Sequence, residues 1–175
     1  MALAPVLERR EEDLFPAGRV PFILLAAGVQ EPGNLGAILR VAEGAGATGA
    51  VVTEGSAWPF QDRCARATAG AILRLPVIAS LPVPEAVSFL SRRGLRAVAA
   101  DPREGEDYRA AELGGPIALL LGSEAHGLPR ELRGAADLAV RIPLRGRLES
   151  LNVAAAAAIL CFEVARRRDG LPGGS

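Results

Sequence analysis

Hydrophobic positions in this chain fall into short unbroken runs, separated by stretches in which apolar residues recur every three or four positions. The runs PFILLA (21–26), AVVT (50–53), PVIA (76–79), LRAVAA (95–100), IALLL (117–121) and LAVRI (138–142) read as strands. They are continuous rather than alternating, as expected of strands covered on both faces. The stretches 35–45, 62–69, 84–93, 129–135 and 151–168 read as helices. Strand and helix alternate along the chain, which predicts an α/β fold with a mostly parallel sheet flanked by helices. One domain fills 21–168. Residues 1–20, charged and proline-containing, form a short N-terminal arm, and 169–175 form a flexible tail that stops the last helix.

Composition narrows the chemistry. Of 175 residues half are hydrophobic and 23% charged, so the chain can bury a sizeable core and is not disordered in general. Twenty basic residues balance twenty acidic ones, so bulk positive charge is not what draws this protein to a nucleic acid. Every basic residue is arginine. Without lysine, a Walker A loop, a Schiff base and a lysine general base are excluded. His126 is the only histidine, which excludes HExxH and multi-histidine sites, and no metal is expected. Cys64 and Cys161 lack CxxC spacing and read as small buried hydrophobes in a reducing cytosol, with a single disulfide left open. Residues 1–7 are apolar but short, and ERREED (8–13) follows at once, which is not the pattern of a secretory signal. The apolar run 153–162 is too short to cross a bilayer. The expectation is a cytoplasmic protein without membrane partners.

Residues 44–49 (GAGATG) match the GxGxxG dinucleotide fingerprint. That mechanism needs a strand before the glycines and a helix after them, so that helix N–H groups face a pyrophosphate. Here the order is reversed, and the segment reads as a helix end and turn.

Three strand ends carry unusual polar residues, where open α/β sheets collect ligands. After the first strand comes EPGNLGAILR (31–40). Asn34 suits an N-cap, Gly36 suggests that something packs against a bare backbone, and Arg40 lies one turn further along. A guanidinium beside such a patch would suit a phosphate-bearing substrate. After the fifth strand comes LGSEAHGLP (121–129), a glycine-bounded loop around Glu124. His126 lacks a partner within the motif and reads as a loop residue, so Glu124 is the better candidate. After the last strand comes IPLRGRLESLN (142–152), followed by Val153 and five alanines. Ser150 suits an N-cap, and the alanine-rich helix would permit a tight crossing or a dimer contact. Over 141–168 six arginines face two glutamates, the most basic stretch of the chain.

Taken together, the three segments resemble, in order and spacing, the three signature motifs of the SpoU/TrmH family, RNA ribose 2′-O-methyltransferases of the SPOUT superfamily. The likeness runs from about residue 21 to 168. RATAGA (66–71) also resembles a family element, with Thr68 where serine is usual, and Ala27 stands where many members carry an acid. The resemblance implies a C-terminal trefoil knot, S-adenosyl-L-methionine as methyl donor, a homodimer, and RNA (tRNA or rRNA) as substrate. It assigns Arg40, Asn34, Glu124, Ser150 and Asn152 to the catalytic pocket. It places the donor against Ala100, Leu121, Gly122, Ser123, Ile142, Leu144, Ser150, Leu151, Asn152 and Ala155. A guanidinium stays protonated in proteins, so Arg40 is expected to clamp a phosphate and ease formation of the 2′-alkoxide rather than act alone as a base. The alternatives are a non-catalytic RNA-binding or assembly factor of the same fold, or a base methyltransferase. The N-terminal arm and Arg166–Arg168 are candidates for RNA contacts.

Overall fold

The computed structural model describes residues 9–169. The first eight residues of the predicted arm and the tail beyond Asp169 lie outside that range. Seven strands form one sheet: β1 (Phe22–Ala26), β2 (Gly49–Thr53), β3 (Val77–Leu81), β4 (Arg96–Ala100), β5 (Glu106–Asp107), β6 (Ile117–Leu121) and β7 (Leu138–Arg141). Their order is β3-β2-β1-β6-β4-β7-β5, and every pairing is parallel. Five α-helices accompany them: α1 (Pro32–Gly44), α2 (Asp62–Ala67), α3 (Val83–Arg92), α4 (Arg130–Gly134) and α5 (Val153–Arg168). Glu11–Leu14 and Ala71–Leu73 are 3-10 turns.

Side-chain alternation along β1 builds two cores from one strand. Phe22, Leu24 and Ala26 face the side covered by α1 and α5, where Leu35, Ile38, Leu39, Leu160, Cys161 and Val164 are buried. Ile23, Leu25 and Ala27 face the side covered by α3 and α4, against Phe89, Leu90 and Leu132. All five residues of both β1 and β6 are buried, which explains their unbroken hydrophobic runs. Each large side chain buried this way contributes about 1.5–3 kcal/mol.

Several boundaries differ from the sequence pattern, each for a local reason. Helix α1 begins at Pro32 rather than 35, because Glu31 is its N-cap: the Glu31 carboxylate accepts the Asn34 N–H at 2.6 Å. Asn34 therefore sits in the first turn, its side chain free for other work. Helix α5 begins at Val153, capped by Asn152 rather than Ser150. Strand β5 went unread because it is two acidic residues at the sheet edge, paired only to β7 and without a hydrophobic signature. In the glycine-rich 44–49 segment, Gly44 ends α1 and Gly49 opens β2, the helix-to-strand order already inferred.

The ends of the described chain are tied down. Leu14 is fully buried, and the Glu11 carboxylate pairs with Arg93 at 2.5 Å and Arg92 at 3.2 Å on α3. The Arg166–Arg168 cluster makes contacts within the fold, while Arg166 remains 63% exposed. Glu163 accepts from Arg166 at 2.7 Å and Arg167 at 2.8 Å. Those hydrogen bonds, Arg166 first, outweigh partial burial and hold the Glu163 carboxyl down at about 2. Arg168 donates to the carbonyls of Val20, Pro21 and Gly115 and lies over the Phe22 ring. Burial lowers its guanidinium to about 10, still charged at neutral pH.

Gly36 is a packing position. A Cβ there would stand 2.5 Å from both the Ala67 Cβ and the Cys64 carbonyl oxygen of α2. Something does pack against its bare backbone, as the sequence suggested, and that is α2, which leaves no open patch there for a ligand. Gly36→Ala is expected to destabilise the fold by about 1–3 kcal/mol in urea unfolding. Because the Glu163 carboxyl is depressed in the folded state, its contribution is complete above the ordinary carboxylate range, near pH 4.5, and is lost as pH falls toward 2. Urea midpoints measured across that window should fall more steeply for the parent chain than for Glu163→Gln.

Candidate functional site

The chain runs from β1 outward through β2 to β3, then crosses back to β4, with β6 inserted beside β1. The boundary between β1 and β6 is therefore a point where strand order reverses, the position at which parallel sheets form ligand crevices. The two strands end level: Ala26 pairs with Leu121, and the Ala27 N–H donates to the Leu121 carbonyl at 2.8 Å. Helix α1 and the loop after β6 leave the sheet side by side.

That loop folds back on itself. Ser123 and Gly127 form an antiparallel bridge, with N–H···O distances of 3.2 and 2.8 Å, and the His126 N–H donates to Ser123 Oγ at 3.1 Å. A Cβ on Gly122 would collide with the Gly127–Leu128 backbone, so the turn closes only around glycine. The outcome is that Glu124 projects toward the start of α5.

One oxygen of Glu124 gathers all three segments. Its Oε1 accepts from Asn152 Nδ2 at 2.6 Å, from the Val153 N–H at 3.2 Å and from Asn34 Nδ2 at 3.4 Å. Asn152 Nδ2 also donates to Asn34 Oδ1 at 3.2 Å. The opposite end of the Asn152 amide caps α5, its Oδ1 accepting the Ala154 N–H at 2.9 Å and the Ala155 N–H at 3.4 Å. Asn152 and Glu124 together satisfy the first N–H groups of the sixteen-residue helix, and the carboxylate sits at the positive end of its dipole.

Beside this cluster lies a cavity of about 390 Å³, within the roughly 300–1,000 Å³ typical of small-molecule sites. Of the residues assigned to a donor, Ala100, Leu121, Gly122, Ser123, Ile142, Leu144, Ser150 and Leu151 line it, and so does Glu124. Asn152 and Ala155 do not. Val153, Ala156 and Leu160 line it instead, at the three- and four-residue spacing of one helix face, while Ala155 points away and is exposed. Sequence reasoning missed a polar rim: Asp101, Arg103, Glu104, Arg133, Arg141 and Glu149 also line the cavity. Asp101 and Arg141 stand at the ends of β4 and β7, a placement that could have flagged them. Asp101 Oδ1 accepts the N–H groups of Arg103 at 2.9 Å and Glu104 at 3.1 Å, which shapes the loop after β4, and Arg133 lies 3.7 Å from Oδ2.

Arg40 stands apart. It is exposed on α1, six residues beyond Asn34, which is about 9 Å along the helix and about 120° around it. The structure thus joins Asn34, Glu124 and Asn152, places Ser150 on the neighbouring cavity wall, and does not bring Arg40 to them within one chain. Among the described residues no three His, Cys, Asp or Glu side chains cluster in a way that could hold a metal ion, and no helix is long and apolar enough to cross a membrane.

An all-parallel α/β domain with a ligand-sized cavity at the carboxyl ends of β4, β6 and β7, beside an Asn-Glu-Asn cluster, defines a class of protein with known members. The profile of the SpoU rRNA Methylase family matches residues 21–162. A 23S rRNA (guanosine-2′-O-)-methyltransferase RlmB of Ralstonia nicotianae is 34% identical over 152 residues, covering 87% of this chain and 61% of that relative. A crystal structure described as an RNA 2′-O ribose methyltransferase superposes with a TM-score of 0.81 at 35% identity, covering 93% of this chain and 62% of the other. The SpoU methyltransferase AviRb from Streptomyces viridochromogenes, solved with AdoMet, gives 0.84 at 28% identity, covering 92% and 65%. This chain belongs to the SpoU rRNA methylase family. It spans about three-fifths of the length of the curated relatives it matches.

Asn152→Ala removes the cap of α5 and one arm of the cluster together. A loss of about 1–2 kcal/mol in urea unfolding is expected, along with faster amide exchange at Val153–Ala155.

Proposed function

We propose that this chain carries out S-adenosyl-L-methionine-dependent methylation of a ribose 2′-hydroxyl in tRNA or rRNA, as a homodimer in the cytoplasm. The observation that supports it best is the Glu124 cluster, which ties the first and third sequence segments together at the rim of the cavity. The names of the relatives, two of which specify 2′-O transfer, support the same reading. The C-terminal trefoil knot implied by the family likeness belongs to this proposal.

The cavity suits the donor chemically. Leu121, Ile142, Leu144 and Leu151 offer an apolar wall to an adenine ring, and Gly122 brings backbone groups close. The polar rim mixes carboxylates and guanidiniums, as a molecule with an ammonium, a carboxylate and a sulfonium requires. When bound, the donor supplies an electrophilic methyl carbon that needs no metal. The residues of the chain then have three tasks. Glu124 fixes Asn34 and Asn152 relative to the cavity, so that a hydroxyl presented to them meets the donor in line. The Asn34 amide and the Ser150 hydroxyl supply hydrogen-bond partners for the ribose, and Asn152, committed to the cap of α5 and to Glu124, holds Asn34 in position. Arg40 binds the adjoining phosphate and offsets the negative charge that develops on the 2′-oxygen as its proton passes to solvent water.

The position of Arg40 bears on the assembly. Within one chain it lies too far around α1 to serve the cluster. The exposed faces of α1 and α5 bear Arg40, Ala155 and Phe162, the last 54% exposed. A second copy seated on those faces would deliver Arg40 to the neighbouring cluster.

Calorimetric titration with S-adenosyl-L-methionine and methylation of cellular RNA, with alkaline hydrolysis locating the methyl group, test the activity. Binding of the donor and one hydrolysis-resistant linkage are expected; no heat and no transfer would refute it. Arg40→Ala should keep donor affinity and lose at least a hundredfold in kcat/KM for RNA. Mixing it with Asn152→Ala should restore part of the activity through mixed dimers.

A further inference from the structure

The loop after β2 carries the only tryptophan of the chain, and it is held outward. Trp58 is 46% exposed, which leaves much of its ring available for contact. Its orientation is fixed from beneath. Phe60, half-buried against the main core, meets the Trp58 ring edge-on, with centroids 5.3 Å apart and planes at 64°. The loop is also locked to the one that leads into α1: the Ala57 N–H donates to the Val29 carbonyl at 2.8 Å, and the Val29 N–H to Ser56 Oγ at 3.2 Å. From there Glu31 reaches in both directions, to the Asn34 N–H at 2.6 Å and to Arg63 at 2.8 Å, just beyond the tryptophan. Trp58 thus stands on the same edge of the sheet as the cluster, one strand from the start of α1 with Asn34 and two from Glu124.

The surroundings are those of a nucleic-acid surface rather than a dry protein contact. Arg63 and Arg66 follow on α2, their side chains 71% and 74% exposed; Arg63 pairs with Glu31, whose Oε1 is itself buried, and Arg66 with the exposed carboxylate of Asp62. The Arg66–Asp62 pair, exposed on both sides, is worth little in water, and its guanidinium can exchange the carboxylate for a phosphate oxygen, while Arg63 keeps N–H donors beyond the one held by Glu31. A rigid exposed indole on the loop leading to these guanidiniums meets the two requirements for binding a single strand, a face for stacking and donors for the backbone. We propose that Trp58 is a stacking platform for an unpaired base of the RNA, next to the nucleotide whose ribose enters the cluster, with Arg63 and Arg66 holding the adjoining phosphates. This rests on the RNA-methyltransferase reading above and adds the residue that would select an unpaired target.

Because the chain has one tryptophan, its emission reports this position alone. A fluorescein-labelled, mixed-sequence single-stranded RNA should bind the full chain by anisotropy and quench Trp58 emission over the same concentration range. Trp58→Ala should weaken that binding about tenfold, while Trp58→Phe recovers most of it and both variants keep parent affinity for S-adenosyl-L-methionine. The proposal is overturned by RNA that binds without changing the emission, by RNA that does not bind at low salt, or by an alanine variant with parent affinity. It is equally overturned if Trp58→Ala alters the sedimentation coefficient, because the ring then belongs to a contact between copies. Failure of the methyltransferase reading shows separately, as an absence of donor binding and transfer in the parent chain.

Discussion

The site depends on one carboxylate oxygen with three donors. Glu124 Oε1 receives an amide from α1, an amide from the residue preceding α5, and the first backbone N–H of α5 itself. The two amides are solvent-exposed, but the part-buried Val153 N–H would be left without a partner if the carboxylate were absent. An unmet polar group at a half-buried helix start costs more than an ordinary hydrogen bond contributes, so the arrangement is held by what would be lost as much as by what is gained. The cavity wall and the α1–α5 packing stay in register because this junction fixes where α5 begins.

The scaffold beneath explains why so small a junction suffices. Strands β1 and β6 are buried along their whole length and end level, so the loops leaving them start from fixed points. Gly36 lets α2 press against α1, and Gly122 lets the β6 loop fold tightly on itself. Side chains carried on these fixed loop starts are held in relative position, which is the condition under which in-line positioning can accelerate a transfer.

Much of this was legible in the chain. Continuous apolar runs predicted buried parallel strands, and six of seven lie close to where the pattern put them, since burial on both faces leaves a strong signature. The two-residue β5 left none. Helix starts were harder to read, because several residues in each segment were able to cap: Glu31 took the role expected of Asn34, and Asn152 that expected of Ser150. Both exchanges matter, since a capping side chain is committed to the backbone and a non-capping one is available to a ligand. The three segments were recognisable as motifs, but only the fold shows Asn34, Glu124 and Asn152 in contact, Arg40 set apart, and Arg166–Arg168 engaged in structure. Spacing along a chain carries no information on which way around a helix a side chain is turned once its neighbours have packed.

The insertion of β6 beside β1 has a consequence for how the molecule is assembled. Phe22 and Ile117 are neighbours in the sheet yet about ninety-five positions apart in the chain. The first strand therefore waits, with one of its edges unpaired, until about ninety-five further residues have been made. Closure of so long a loop is entropically expensive and slows folding. A strand this apolar with an open edge is vulnerable to pairing with another molecule in the interval. For a nascent chain emerging from the ribosome, the hazardous stage is the stretch of synthesis between its first strand and its sixth.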